Sequence, residues 1–274
     1  MNYLFWVAIA LLTLPNTSYS TPWEKLSKPS ARSTESIGSY SNGCLAGGVS
    51  LPLQGIGYQV IRSQNLRYFG HKKTIRFVRN LAHASYQKNK TNLLVGDISL
   101  PQGGQFSSGH ASHQTGLDVD IWFRTVDRPL SKSQLRAPIA ISVVDIENYQ
   151  INSNWSHAHF ELLKLAASDE EVTRIFVHPV IKKQLCKAEM STDREWLRKI
   201  RPWFGHHYHF HVRLSCSVRD KHCYPQKAPP QGDGCGAEIA SWKPEDMKKE
   251  RHRKKFKAPI RAPEMCLAML RDAN

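Results

Sequence analysis

Apolar positions in HKKTIRFVRNLAHASYQ recur at Ile75, Val78, Leu81 and Ala82. That spacing gathers them on one side of a 3.6-residue turn and predicts a helix near 72–86. A strand over about 93–100 follows, then the glycine-rich loop PQGGQFSSGH. In GLDVDIWF apolar and acidic positions alternate, so a strand there turns Asp118 and Asp120 to one face and Leu117, Val119 and Ile121 to the core. A second helix is expected over 155–168, with Phe160, Leu163 and Ala166 on one side. VTRIFVH reads as a β-branched strand halted by Pro179, which itself opens a short helix to about Lys187. Thr192 and Glu195 have capping-box spacing and predict the start of a third helix. HHYHFHVRLSC alternates again, giving a strand over 207–215 with His209 and His211 on one face and Tyr208, Phe210 and Val212 on the other. Residues 21–43 read as an irregular arm, and the chain beyond Cys216 as an extended segment tied back by cysteines. Strands and helices mix without a βαβ rhythm. That predicts an α+β fold: a central antiparallel sheet with flanking helices and long loops.

Composition changes this picture in three places. The first twenty residues carry no charged side chain and end in Ser18-Tyr19-Ser20, which reads as an export signal over 1–20. The remaining chain, 274 − 20 = 254 residues, has no later segment apolar enough to span a bilayer and is expected to be soluble. The body then covers 21–242, and 243–274 is a basic tail. Six cysteines follow the signal and form no C-x-x-C pair, which favours disulfides over a cysteine metal site. Fifteen pairings are open, and Cys216 with Cys223 is the easiest to close locally. The net charge is +15, of which residues 243–261 contribute nine basic minus three acidic, or +6. Such a balance suits an anionic membrane surface or cell-wall polymer, although the tail on its own also reads as a solvated linker. No nucleic-acid motif is present, and export sets that partner aside.

The candidate chemistry lies where the two alternating stretches can meet. Two paired strands, each with polar groups on a common face, can build one metal site, and the loop before the first brings His110 and His113 to the same end. Imidazole and carboxylate are good zinc ligands, and a catalytic zinc keeps three protein ligands and an open position. His113, Asp120 and His211 could supply such a site, with Asp118, His110, His206 and His209 orienting ligands or handling protons. The same residues could instead form hydrogen-bonded polar turns. No H-E-x-x-H helix is present to provide a glutamate base.

His113-x6-Asp120 followed by His209-x-His211 resembles the zinc pattern of the LAS metallopeptidases. The flanking stretches SIGSYSNGCLAGG, GGQFSSGHASHQTGLDVDIW, TRIFVHPVIKKQLC, WLRKIRPWFGHHYHFHVRL and GDGCGAEIASW are similar to the penicillin-insensitive murein endopeptidases of Gram-negative bacteria, over most of residues 35–242. The resemblance implies an LAS-type fold and a zinc ion bound by His113, Asp120 and His211, with His110 a further histidine beside the metal. It implies that His206 and His209 line the site and stabilise the transition state or move protons, while Asp118 supports a ligand histidine. It implies disulfides Cys44–Cys266, Cys186–Cys235 and Cys216–Cys223, the first tying the tail back. The implied activity is periplasmic hydrolysis of D-alanyl–meso-diaminopimelate cross-links by zinc-activated water. That needs no acylatable serine and so escapes β-lactams. A non-catalytic zinc-containing peptidoglycan-binding protein and a D-alanine carboxypeptidase are the competing readings. Nothing transfers to the signal, residues 126–154 or the tail beyond Ser241, where the chain departs from the family pattern.

Overall fold

A computed structural model describes residues 20–246 and 261–273. All but the last residue of the export signal read at 1–20, and most of the basic run, at 247–260, fall outside the described residues. Strands β1 (Glu35–Ser39) and β2 (Asn42–Ala46) form a hairpin, followed by β3 (Val49–Ser50), β4 (Gln54–Gly55), β5 (Tyr58–Val60) and β6 (Phe69–Gly70). Helix α1 (Lys72–Asn89) leads to β7 (Asn92–Val95) and the long β8 (Asp118–Val126), then α2 (Lys132–Arg136), β9 (Val144–Asp145) and β10 (Gln150–Ile151). Helix α3 (His157–Ser168), β11 (Val172–Val177), α4 (Pro179–Ala188), α5 (Glu195–Lys199), β12 (Ile200–Pro202) and β13 (His209–Leu214) follow, and a short helix α6 (Ala237–Ala240) interrupts the segment beyond Cys216, expected to be extended. A last helix spans Glu264–Ala273.

Seven strands make one sheet in the order β12-β11-β13-β8-β7-β5-β4. Its centre is antiparallel, as the absence of a βαβ rhythm predicts, while the β11–β12 and β5–β7 pairs are parallel. The sheet is therefore mixed within an α+β fold. Residues opposite one another in a ladder share a face, so the register sorts the central strands into two layers. Val119, Ile121, Phe210, Val212, Ile175, Val177 and Ile200 lie in the main core. There they meet Ile75, Val78 and Leu81 of α1 and Phe160, Leu163 and Ala166 of α3, the sides that the helical spacing picked out. The other layer pairs Asp118 with Arg213 and Asp120 with His211 between β8 and β13. It continues through Arg174 and Phe176, which β11 sets opposite Arg213 and His211. One face of the sheet is thus packed and greasy, and the other carries a row of charged and imidazole groups.

Three further expectations are corrected. The strand expected over 93–100 ends at Val95, because Asp97 O accepts from Asp120 N while Ile98 N turns to Arg67 O and Ser99 pairs with Phe69. The arm over 21–43 is irregular only in part: a single turn of 3-10 helix, Pro22–Lys25, precedes the irregular residues 26–34, and β1 and the start of β2 fall within the arm. Its Ser- and Gly-rich text hides Ile37, which pairs across the hairpin with Cys44 and packs beside it in a small core. Thr192 does not cap the third helix: α5 starts at Glu195, whose amide donates to Asp193 Oδ1, so the nearer carboxylate takes the free donor.

The disulfides are Cys44–Cys266, Cys186–Cys235 and Cys216–Cys223, the pairing the resemblance implies. The first fastens the last helix to β2 across 222 residues. The second holds the chain after β13 against α4, where Arg198 donates to the carbonyls of Pro229 and Pro230. Among the described residues no helix is long and apolar enough to cross a membrane.

Candidate metal centre

β8 and β13 bring Asp120 and His211 opposite one another, and the loop before β8 folds back to add His113. His113 occupies the left-handed region, with φ 71°. A non-glycine residue there costs on the order of 1–3 kcal/mol and needs surroundings that hold it. Two hydrogen bonds do so: His113 N donates to Asp118 Oδ2 at 3.1 Å, and its Nδ1 lies 2.8 Å from the Ile98 carbonyl. Phe106 stacks against the ring, with centroids 6.0 Å apart. The whole residue is buried.

The protons can be placed from these partners. A carbonyl oxygen only accepts, so Nδ1 of His113 carries the hydrogen and Nε2 keeps its lone pair. Nε2 of His211 donates to Asp118 Oδ1 at 3.0 Å, which leaves the lone pair of neutral His211 on Nδ1. Those two lone-pair nitrogens face each other at 3.1 Å, and Asp120 Oδ1 stands 3.3 Å from each. Asp120 Oδ1 is buried and accepts no hydrogen bond among the described residues. Three buried acceptors converging without a donor repel one another unless a cation sits between them. Tetrahedral coordination with bonds of about 2.0–2.1 Å separates neighbouring donors by roughly 3.3 Å, so the spacing fits a small divalent metal.

The electrostatics are arranged to keep both carboxylates ionised. Burial works against ionising Asp118, but the Arg213 guanidinium, donating from Nε at 2.8 Å and Nη2 at 3.2 Å, and then His211 hold its carboxyl far below the usual range. Asp120 is likewise opposed by burial and held well below its ordinary value by His110, His209 and His113. Burial pulls His211 down, yet its hydrogen-bonded neighbour Asp118 outweighs burial and raises it.

His110, His113 and Asp120 each offer a ligand atom within 4.8 Å of the others, a group able to hold a metal ion. His110 Nε2 also lies 3.3 Å from both Asp97 Oδ2 and Asp120 Oδ2. Both carboxylates are held ionised, so in this arrangement Nε2 carries the hydrogen and points Asp120 inward. His209 is buried, neither ring nitrogen has a hydrogen-bond partner among the described residues, and its Nε2 is 3.7 Å from Asp120 Oδ2. Burial drives its pKa down to about 4. His206 packs against His209 with centroids 4.9 Å apart. Its Nδ1 is 3.3 Å from the Trp203 and Phe204 carbonyls, and burial places its pKa well below the ordinary value.

All seven polar residues singled out in the sequence therefore meet in one place. Asp97 and Arg213 belong to the same network and escaped sequence reading. The only sign of Asp97 was a lone acid inside the apolar run LLVGDISL, and Arg213 simply continued the alternation of His209 and His211.

The model of the penicillin-insensitive murein endopeptidase family matches residues 36–271. A penicillin-insensitive murein endopeptidase of Klebsiella pneumoniae (strain 342) is 48% identical over 235 residues, 85% of each chain. One from Yersinia pestis bv. Antiqua (strain Nepal516) is 47% identical over the same shares. One from Salmonella arizonae is 45% identical over 271 residues, 96% of this chain and 97% of its own. With its length matched from β1 to the last helix, the chain belongs to the penicillin-insensitive murein endopeptidase family.

Proposed function

We propose that this protein is a zinc-dependent murein endopeptidase that works in the periplasm and hydrolyses the D-alanyl–meso-diaminopimelate cross-links of peptidoglycan. The observation that carries this reading is the meeting of three buried lone-pair donors, His113 Nε2, His211 Nδ1 and Asp120 Oδ1, at 3.1–3.3 Å. The relatives' names support murein as the substrate, and the choice of the D-alanyl–meso-diaminopimelate bond rests on the family resemblance. His113, His211 and Asp120 would hold a zinc ion, which would supply Lewis acidity able to polarise a carbonyl and acidify water at neutral pH.

The chain's own residues do the rest. Asp118 and the Ile98 carbonyl lock the two ligand imidazoles in the tautomers that present a lone pair. His110 holds the outer oxygen of Asp120 and leaves the inner one for the metal. His209 and His206 are neutral near pH 7 because burial disfavours their charged forms. His206 donates Nδ1–H to backbone carbonyls and keeps Nε2 as an acceptor, the form in which an imidazole takes a proton. His209, with both ring nitrogens uncommitted, can donate from one and accept at the other, which suits it to the developing oxyanion or the departing amine. No step passes through an acyl-serine, so β-lactams find no nucleophile to trap. A net charge of +15 favours approach to an anionic wall polymer.

The test uses purified protein and defined muropeptides. Cross-linked dimers should give monomers, a chelator should stop the reaction, and Zn2+ should restore it. Dimers left intact in a metal-replete protein would leave only a binding role. Release of terminal D-alanine from monomeric pentapeptide in preference to dimer cleavage would make the protein a carboxypeptidase.

A further inference from the structure

We propose that Glu24, on the arm that precedes β1, is a positioning residue for the metal centre and acts on Asp120 through Arg67, Asp97 and His110. The inference rests on the metal-centre reading above. Glu24 sits in the 3-10 turn Pro22–Lys25, far in sequence from every candidate ligand. Its Oε1 accepts from Arg67 Nη2 at 3.2 Å, from Ser107 N at 3.1 Å and from Ser107 Oγ at 3.0 Å. Arg67 spreads its guanidinium between two acids, and Nη1 donates to Asp97 Oδ2 at 3.1 Å. The same Asp97 oxygen meets His110 Nε2 at 3.3 Å, and His110 Nε2 meets Asp120 Oδ2 at 3.3 Å. Asp97 also grips Asp120 through the backbone, since its carbonyl accepts from Asp120 N at 2.9 Å. Carboxylate, guanidinium, carboxylate, imidazole and carboxylate thus alternate from the arm to the ligand.

Charge explains why the row needs its outer end. Asp97 and Asp120 are both buried carboxylates that share one imidazole, and two like charges so close disfavour each other. Arg62 and Arg67 compensate, Arg62 donating to Asp97 Oδ1 at 3.2 Å. Arg67 is itself partly buried over the Phe106 ring, 4.1 Å from its centroid, and Phe106 stacks on His113. Without Glu24 the guanidinium loses one of its two carboxylates and is free to leave the plane in which Nη1 reaches Asp97. Ser107 loses its acceptor in the same event, and residues 104–110 are the loop that carries His110.

The arm is built to seat on that loop. Thr21 Oγ1 donates to the Gln105 carbonyl at 2.7 Å, and Trp23 lies buried under Gly104. Gly104 has φ +78°, and a Cβ there would fall 2.0 Å from the Trp23 ring, so only glycine lets the two surfaces meet. None of these contacts touches a candidate ligand; they reach the centre through the charged row and through the loop that carries His110.

The test is a metal titration on the full chain against a chromophoric chelator, with the visible spectrum of the Co2+-loaded protein as a second readout. Glu24→Gln keeps the shape and, through its carbonyl oxygen, the Ser107 contacts, but removes the charge facing Arg67 and the oxygen that accepts from Thr21 N. Outer partners of metal ligands typically govern affinity by about 10–100-fold, and this residue acts at several removes, so about a tenfold weakening is expected. Arg67→Met should weaken binding at least as much, and Glu24→Gln added to it should cost nothing further. Arg32→Ala, which breaks the arm's ion pair with Asp272, controls for simple loosening of the arm and should leave affinity unchanged. The proposal is overturned if Glu24→Gln stays within twofold of the parent, if its effect adds to that of Arg67→Met, or if Arg32→Ala weakens binding equally. A parent protein that binds no metal removes the metal-centre reading along with this one. A parent that binds metal but cleaves no dimer removes only the hydrolytic reading, and the titration still decides Glu24.

Discussion

Replacing Asp118 by asparagine removes one charge from a fully buried group and changes two properties that can be measured apart. Asp118 accepts from Arg213 Nε at 2.8 Å and Nη2 at 3.2 Å, from His211 Nε2 at 3.0 Å and from His113 N at 3.1 Å. Asp118 is 0% exposed and Arg213 7%, so the variant leaves a guanidinium out of water without its counter-ion. Breaking one partner of such a pair costs about 3–5 kcal/mol, a large share of the roughly 5–15 kcal/mol that holds a domain together. For a chain of this size each kcal/mol moves Tm by about 2–4 °C, which gives a fall on the order of 6–20 °C. Calorimetry in chelator isolates this effect from any bound metal. The double variant Asp118→Asn with Arg213→Met replaces the pair by less charged groups and should recover most of the stability, because a whole buried pair is worth little net. It should not recover metal affinity. His211 still lacks the carboxylate that fixes its tautomer, and about 10–100-fold weaker binding is expected in both variants. A single variant within about 2 °C of the parent would refute the buried-pair argument. Full metal affinity in either variant would refute the role given to Asp118.

Three further expectations follow from other parts of the molecule. His178 is buried, its Nδ1 caps α4 by accepting from Val180 N, and burial lowers its pKa to about 4 from an ordinary 6.5. The unfolded chain then binds a proton that the native state refuses between those values, so metal-free stability should fall as pH drops from about 6.5 to about 4, by up to roughly 3 kcal/mol, and His178→Asn should flatten that slope in urea titrations. Removing the Cys44–Cys266 bridge by a double alanine substitution opens a 222-residue closure and should cost about 2–5 kcal/mol, read from the denaturation midpoint of the two proteins. Gly104→Ala drives a Cβ into the Trp23 ring at a positive φ, and limited proteolysis should then cut the arm near 20–33 much faster than in the parent.

The centre depends on a sheet that is two-faced by construction. Phe210 and Val212 are completely buried on the packed side, so His209 and His211 have no alternative but the other side. A slip of one residue in β13 would drive both imidazoles among the core side chains and take Phe210 out of that core into the polar layer of Asp118 and Asp120. Burying such an aromatic is worth about 2–3 kcal/mol, and several of its neighbours add to that, so core packing fixes the register that sets the ligands.

The period-two alternation of 116–123 and 207–215 was enough to place Asp118 with Asp120 and His209 with His211 on common faces. Alternation is a property of the extended backbone and needs no partner. The helical faces of α1 and α3 were legible for the same local reason. Which aspartate meets which histidine was not legible in that alternation. That depends on register between strands whose pairing side chains, Asp118 and His211, lie 93 positions apart, and the ladder sets Asp120 beside His211 and Asp118 beside Arg213. The proton positions rest on an Ile98 carbonyl that enters the site only because the chain leaves the sheet after Val95. Glu24, Arg67 and Asp97 have no shared spacing with any ligand, because their contacts arise where an arm, a loop and a strand end come together. Local pattern decided which side chains were available on each strand; the packing of distant segments decided which of them touch.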